Sequence, residues 1–150
     1  MNVDALVFDV FGTCVDWRGG IMRAISDLAK RRGFTVDALE FANAWRGQYQ
    51  PAMEKVRSGA RQFVILDVLH RENLEEILPR FGLSHLSEED RQDLAFAWRR
   101  LDPWPDTVAG LTRLKKRFII APQSNSNIAL AFNMAKFGGL PWDCVLGAEV

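Results

Sequence analysis

A near-continuous hydrophobic run opens the chain between Val3 and Phe8, and a polar loop from Asp9 to Thr13 ends it. A run of this length is typical of a strand that is covered on both faces in a parallel sheet. Gly12 and Thr13 break the run and begin the loop. The pattern therefore predicts a first strand whose carboxyl end is Asp9.

Hydrophobic residues then recur at helical spacing for about eighty residues. We predict four helices: one from Gly20 to a stop at Gly33, one capped by Thr35 or Asp37 and extending toward Tyr49, one from Arg61 to Leu78 with Phe63 inward, and one that opens at Ser87. Acidic residues fill the first turn of the fourth helix, where the helix dipole favours them. The pattern therefore predicts that this stretch is entirely helical.

The segment from Asp102 to Asp106 is the clearest break in the chain, because two prolines around Trp104 cannot continue a helix. We interpret it as the boundary of a helical insertion. The pattern beyond it predicts a helix at Thr107–Lys115, a strand at Arg117–Ala121, a helix from Ile128 to a stop at Gly138 and Gly139, and a strand at Trp142–Leu146.

This alternation predicts an α/β fold: a doubly wound (Rossmann-like) parallel sheet with a helical cap inserted after the first strand. We assign residues 1–18 to the core, with the first strand and its loop. Residues 19–101 form the helical cap, and residues 102–150 continue the core.

Composition excludes several classes of function. Lys plus Arg and Asp plus Glu number 19 each, so no charge excess indicates nucleic acid or an anionic membrane as a partner. The longest hydrophobic runs are too short to span a bilayer, and no secretory signal opens the chain. Cys14 and Cys144 are expected to be small buried residues in a reducing compartment. A cytoplasmic protein with a small-molecule substrate is the expectation.

Open α/β sheets bind ligands outside the carboxyl ends of their strands. The loop from Asp9 to Thr13 and a second loop from Ser124 to Asn127 both fall there. Adjacent parallel strands would bring the two loops together. Asp9 by itself could equally be a turn residue, since aspartate is common in turns.

Three motifs resemble one family. Phe8–Thr13 followed by Val15–Arg18 resembles the first motif of the haloacid dehalogenase superfamily, in its type II haloacid dehalogenase branch. Ser124-Asn125 after a hydrophobic strand resembles the second motif. Trp45-Arg46, with Gln48 and Tyr49 just after, resembles the cap segment that brings an arginine over the nucleophile. The three occur in the expected order along the chain.

The resemblance implies a hydrolytic dehalogenase of short 2-haloalkanoic acids that acts through an ester on Asp9 and yields 2-hydroxy acids. Thr13 would hold Asp9, and Ser124 and Asn125 would position the substrate carboxylate or orient Asp9. Arg46 would stabilise the departing halide. The substrate-binding residues that it implies are Val10, Phe11, Arg46, Tyr49, Ser124 and Asn125.

Phe11 stands where phosphatases of the superfamily have a second aspartate that protonates the leaving alcohol. A halide needs no proton, so Phe11 favours dehalogenation, and no metal or other cofactor is expected. The alternatives are a phosphatase of a small phosphorylated metabolite, which would need Mg²⁺, and a noncatalytic α/β binding module.

Structural roles remain open for several of these residues. Thr13 could bond only the turn backbone, Ser124 and Asn125 could cap the helix that begins near Ser126, and Arg46 could be a solvated helix cation. His70 and His85 are expected to be surface or packing residues, and Trp45 and Trp98 to pack within the cap.

The resemblance also implies a lysine motif and an acidic motif beyond Val150, and residues 147–150 resemble the approach to the lysine segment. The first strand would otherwise keep an uncovered edge. We therefore expect this 150-residue chain by itself to be unstable or inactive, and the full-length protein to be a hydrolase, with a homodimer suggested by the resemblance.

Overall fold

The computed structural model describes residues 3–149. The residue that ends the predicted approach to a lysine segment, Val150, lies outside the described residues. Residues 3–149 form two strands and seven α-helices: β1 (Ala5–Phe8), α1 (Trp17–Arg32), α2 (Ala38–Gly47), α3 (Tyr49–Arg57), α4 (Leu66–Ile77), α5 (Glu88–Ala95), α6 (Thr107–Lys115), β2 (Ile119–Pro122) and α7 (Ile128–Gly138). Short 3₁₀ turns at Leu78–Phe81 and Phe96–Arg99 follow α4 and α5.

β1 and β2 form a parallel pair, with Ala5 opposite Ile119 and Phe8 opposite Pro122. One further bond, from the Gln123 amide to the Phe8 carbonyl at 2.7 Å, carries the pairing past the strand ends. The loops that follow the two strands therefore start at the same sheet edge, beside Asp9. The predicted α/β fold with a parallel sheet is confirmed.

The chain divides into two compact units, one of residues 18–97 and the other of the residues before and after that stretch. We refer to the unit with the sheet as the core unit and to the helical one as the cap unit. The cap unit contains the buried rings of Phe41 and Trp45, edge-on to each other at 5.9 Å, and Phe41 is also edge-on to the half-buried Phe81 at 5.1 Å. No helix in residues 3–149 is both long and hydrophobic enough to cross a bilayer.

Helix ends follow the predicted capping chemistry. The carboxylate of Asp37 accepts a bond from the Glu40 amide at 2.9 Å and begins α2, and the Ser87 hydroxyl accepts from the Asp90 amide at 3.1 Å and begins α5. Gly139 ends α7 in the left-handed conformation that favours glycine. These signals act within four residues, which is why the sequence alone predicts them.

The predicted strand at Trp142–Leu146 is wrong, since no strand forms there in the described part of the chain. Asp143 makes the contact with β2 instead. Its amide donates to the Ile120 carbonyl and its carboxylate accepts from the Ile120 amide, both at 2.9 Å. Because a side chain takes this strand donor, no main-chain ladder continues past Asp143.

The predicted helix at Arg61–Leu78 is too long. The helix α4 begins at Leu66, after an extended Ile65, and a separate helix α3 precedes it. Phe63 is 55% exposed rather than inward, and Arg61 forms a bidentate ion pair with Glu72. The expectation for Cys144 was also wrong, because Cys14 is buried but Cys144 is exposed.

Candidate active site

Asp9 follows the last residue of β1, and its side chain is exposed at the carboxyl end of the sheet. The hydroxyl of Thr13 donates a hydrogen bond of 2.8 Å to Asp9 Oδ2. A bond from a neutral hydroxyl to a charged carboxylate is stronger than one between neutral groups. The carboxylate is thus oriented by a neighbour four residues on while it stays accessible.

The loop after Asp9 closes on itself as a tight turn. The Cys14 and Val15 amides donate to the Val10 carbonyl at 2.9 and 3.2 Å, and the Gly12 amide donates to the Val15 carbonyl at 3.0 Å. Gly12 has φ +94°, a conformation that costs glycine little and other residues much more. The turn brings Thr13 back toward the carboxylate that it contacts.

Cys14 contacts the main chain of Asp9. Its thiol donates to the Asp9 carbonyl at 3.3 Å. Burial, and to a smaller degree the Asp9 carboxylate, raise the pKa of the Cys14 thiol to about 11. The thiol therefore stays protonated near neutral pH, so it can keep donating this bond.

Aromatic rings lie on the other side of the loop. The Phe11 ring is edge-on to Trp98 with 6.0 Å between centroids, and Trp98 stacks on Trp17 at 6.2 Å. Trp98, which the sequence places with the cap helices, thus makes its ring contacts within the core unit. Phe11 is half-buried and adds hydrophobic surface two residues from Asp9.

The second predicted loop follows β2. Ser124 is half-buried and its hydroxyl accepts from the Ser126 amide at 3.2 Å, while Asn125 is exposed. Asn127, rather than Ser124 or Asn125, stands at the N-cap position of α7. Ser124 and Asn125 therefore turn the loop ahead of the helix, next to the sheet edge where Asp9 lies.

Within the cap unit, α2 carries Arg46 and α3 begins with Tyr49. The Arg46 guanidinium lies 4.1 Å from the centre of the Tyr49 ring, in cation–π contact. Beside it, the indole of Trp45 donates to the His70 carbonyl at 3.0 Å in a buried position. The Tyr49 ring thus holds the arginine that the sequence nominates for the site.

His70 is a buried titratable group of the cap unit, with 3% of its surface exposed. Burial, with a smaller contribution from the Arg46 charge, lowers the pKa of His70 to about 3. The ring is therefore neutral at physiological pH and packs in the interior of the cap unit. His85 is exposed, with Nδ1 3.0 Å from the Gly82 carbonyl.

The structure brings Asp9, Phe11 and Thr13 into one turn and places Ser124 and Asn125 after the neighbouring strand. The predicted substrate contact Val10 is 4% exposed, and its carbonyl is occupied by the turn. Among residues 3–149, no group of three or more His, Cys, Asp or Glu side chains could hold a metal ion.

Sequence reasoning missed Trp104 and Thr107. The Trp104 indole donates to the Gly12 carbonyl at 3.1 Å, and the Thr107 hydroxyl donates to the Cys14 carbonyl at 3.0 Å. The local pattern marks only a break in helix periodicity at this segment. A contact across about ninety residues leaves no signal in that pattern.

Comparison with known proteins gives the chain its family. The model of the haloacid dehalogenase-like hydrolase family matches residues 3–146. The solved structure of the defluorinating L-2-haloacid dehalogenase Rha0230 is 49% identical with a TM-score of 0.95, and the match covers 99% of this chain and 61% of that one. The L-2-haloacid dehalogenase PA0810 is 43% identical with a TM-score of 0.94, and the match covers 99% of this chain and 63% of that one.

A third structure shares the fold. It is the L-2-haloacid dehalogenase from Xanthobacter autotrophicus with chloropropionic acid covalently bound, at 23% identity and a TM-score of 0.81, with 99% of this chain and 58% of that one covered. No curated protein matched the chain. The chain thus spans about three fifths of the length of these solved structures. The family model covers almost the whole sequence, and the chain therefore belongs to the haloacid dehalogenase-like hydrolases.

Proposed function

We propose that the full-length protein is a hydrolytic dehalogenase of short 2-haloalkanoic acids that uses Asp9 as its nucleophile. The observation that carries this proposal is the pairing of an exposed Asp9 carboxylate with the Thr13 hydroxyl at 2.8 Å, at the carboxyl end of a parallel strand. The two solved structures at 49% and 43% identity, both named L-2-haloacid dehalogenases, support the same substrate class.

The reaction would run in two displacements. A carboxylate oxygen of Asp9 attacks C2 of the 2-haloacid, the carbon–halogen bond breaks, and the halide leaves with its electron pair. Water then attacks the carbonyl carbon of the resulting Asp9 ester and loses a proton. The ester bond breaks, the leaving oxygen takes up one of the two water protons to become the hydroxyl of the 2-hydroxy acid, and the other proton is released to solvent, which restores the Asp9 carboxylate.

Thr13 is proposed to assist this reaction by orienting the Asp9 carboxylate. Its bond to Oδ2 limits rotation of the Asp9 carboxylate, so the second oxygen can face the substrate carbon. Holding a nucleophile in a reactive position removes part of the entropy barrier of the displacement. Ser124 and Asn125 are proposed to bind the substrate carboxylate, because their loop starts beside Asp9 at the same sheet edge.

Arg46 is proposed to stabilise the departing halide. Its guanidinium lies 4.1 Å from the centre of the Tyr49 ring, and this contact limits the rotation of the side chain. Charge that is oriented in advance stabilises a developing anion without reorganisation. We propose this role for Arg46, and we propose that Tyr49, whose ring contacts Arg46, helps to bind the substrate.

Phe11 supports carbon–halogen cleavage over phosphoryl transfer. A ring at this position cannot donate a proton to a leaving alcohol, and a halide does not need one. The hydrophobic surface of Phe11, held against Trp98, suits a carbon–halogen bond. The chemistry proposed here also needs no metal to activate either displacement.

The test uses the full-length protein with (S)-2-chloropropionate and measures chloride release. The variant Asp9→Asn should lose at least about 99% of the activity, as removal of a covalent nucleophile does. Asp4→Asn is the matched control, since Asp4 is an exposed carboxylate just before the same strand. No halide release by the wild type from any short 2-haloacid would refute the proposal, and Mg²⁺-dependent phosphate release from an aryl phosphate would favour a phosphatase.

A further inference from the structure

Among the carbonyls of the loop that carries Asp9, those of Gly12 and Cys14 are bound from outside the turn. Within the turn, the Cys14 and Val15 amides donate hydrogen bonds to the Val10 carbonyl, and the Gly12 amide donates to the Val15 carbonyl. The carbonyls of Gly12 and Cys14 point away from that network. These two carbonyls belong to the peptide groups just before Thr13 and just after Cys14, so they flank the residue that contacts Asp9.

Both carbonyls are bound by the segment Asp102–Thr107, which we name the tryptophan clamp. The Trp104 indole donates to Gly12 O at 3.1 Å. The Trp104 amide and the Thr107 hydroxyl donate to Cys14 O at 3.1 and 3.0 Å. The Cys14 carbonyl thus uses both of its lone pairs on the clamp.

Two more links fix the end of the loop. The Asp16 amide donates to the Asp102 carbonyl at 2.9 Å, and Val15 forms an antiparallel bridge with Pro103. Val15 is fully buried. The loop is therefore tied along its second half to a segment that lies about ninety residues later in the chain.

The clamp is stiff for reasons of sequence. Pro103 and Pro105 fix the backbone on both sides of Trp104, because the proline ring locks φ. The Thr107 amide bonds the Trp104 carbonyl at 3.0 Å, and Thr107 is the first residue of α6. A rigid donor array of this kind orients its acceptors at low entropic cost.

We propose that Trp104 and Thr107 are positioning residues for the nucleophile: they hold the turn in which Thr13 orients Asp9. This inference rests on the proposed function, in which small displacements of Asp9 slow attack on carbon. Neither side chain need touch the substrate. Their effect should therefore fall on kcat and leave KM almost unchanged.

The experiment compares four variants of the full-length protein. Trp104→Phe removes the indole donor, and Thr107→Val removes the hydroxyl at nearly constant shape. Thr107→Ser restores the hydroxyl, and Thr112→Val is the matched control because Thr112 is exposed on the same helix. Chloride release from (S)-2-chloropropionate gives kcat and KM, and amide hydrogen exchange of residues 10–17 reports the turn directly.

We expect Trp104→Phe and Thr107→Val each to lower kcat about five- to tenfold, the effect of about one net hydrogen bond, with KM within about twofold. Exchange of the turn amides should accelerate in both variants. Thr107→Ser should recover most of the rate, and Thr112→Val should match the wild type.

The inference is overturned if both variants exchange at wild-type rates, or if an active wild type tolerates both without loss of kcat. An inactive wild type would instead refute the proposed function, and the exchange data would then decide the clamp alone. A loss through general unfolding would appear as faster exchange across α6 and β2 as well, and would also contradict a positioning role.

Discussion

Acidification should destabilise the cap unit through one histidine. His70 lies 3% exposed on α4, and burial, with a smaller contribution from the Arg46 charge, lowers its pKa from 6.5 to about 3. Between pH 6.5 and about pH 3, the unfolded chain therefore binds a proton on His70 that the folded chain does not bind. Stability should fall as the pH drops from 6.5 toward about 3, and it should be independent of this group above that window.

The size of the effect follows from the shift. Each pH unit inside the window costs about 1.4 kcal/mol of unfolding free energy, so moving from about pH 7.5 to about pH 5 should cost about 2 kcal/mol. Carboxylates whose pKa is lowered by folding add to the loss only near and below their ordinary pKa values, because the unfolded chain takes up their protons there. Asp90, whose pKa is held below its ordinary 3.8 by hydrogen bonds from Arg32, is one such group, so the range from about pH 7.5 to about pH 5 is the one that reports His70.

The assay is urea unfolding at several pH values in that range, followed by circular dichroism, for wild type, His70→Gln and His85→Gln. We expect His70→Gln to be less stable at neutral pH because it alters a packed core, yet to lose the downward slope below pH 6.5. His85 is exposed, so His85→Gln should retain that slope. An unchanged slope in His70→Gln would refute the reasoning, since the proton uptake would then belong to other groups.

Two further predictions concern the Asp9 loop and its neighbours. Iodoacetamide at about pH 8 should label the exposed Cys144 and spare Cys14, whose thiol is buried and has a pKa raised to about 11. Mass spectrometry of the native protein reads the labels, and labelling of Cys14 as well would contradict its burial. Gly12→Ala should lower the free energy of unfolding by about 1–2 kcal/mol, because alanine is strained at the φ of +94° that Gly12 adopts. A steric clash adds nothing to this cost, since the new methyl group would lie 3.6 Å from the Trp17 side chain, an ordinary contact distance. A thermal melt that matches wild type would contradict that assignment of strain.

Sequence reasoning succeeds where the determining contacts are local. The strand before Asp9, the helix Thr107–Lys115 and the cap at Asp37 all follow from patterns within a few residues. The contact between Thr13 and Asp9 spans four residues and was expected from the motif. Its catalytic meaning remains a prediction.

Sequence reasoning fails where a distant group supplies the contact. The segment Trp142–Leu146 has a hydrophobic pattern that suits a strand, but the Asp143 carboxylate takes the Ile120 amide and stops the ladder. The tryptophan clamp shows the same limit. The local pattern around Trp104 indicates only that helix periodicity stops there. The fold then brings its indole to the Gly12 carbonyl, 92 residues away in sequence.

The hydrophobic surface of the core unit bears on the stability of this chain alone. Val3, Val7 and Ile119 are all more than half exposed around the β1–β2 pair. Exposed hydrophobic groups contribute little to the free energy of folding, so the core unit gains less from burial than a fully covered sheet would.

The most direct test of the account follows oxygen through a single turnover. Full-length protein in excess over (S)-2-chloropropionate would react in ¹⁸O-labelled water, and mass spectrometry would examine both the product and the peptide that contains Asp9. Attack by Asp9 predicts an unlabelled hydroxyl in the first 2-hydroxy acid released and one ¹⁸O atom in the Asp9 carboxylate. Label in the first product with none in Asp9 would show direct attack by water and contradict the role proposed for this residue.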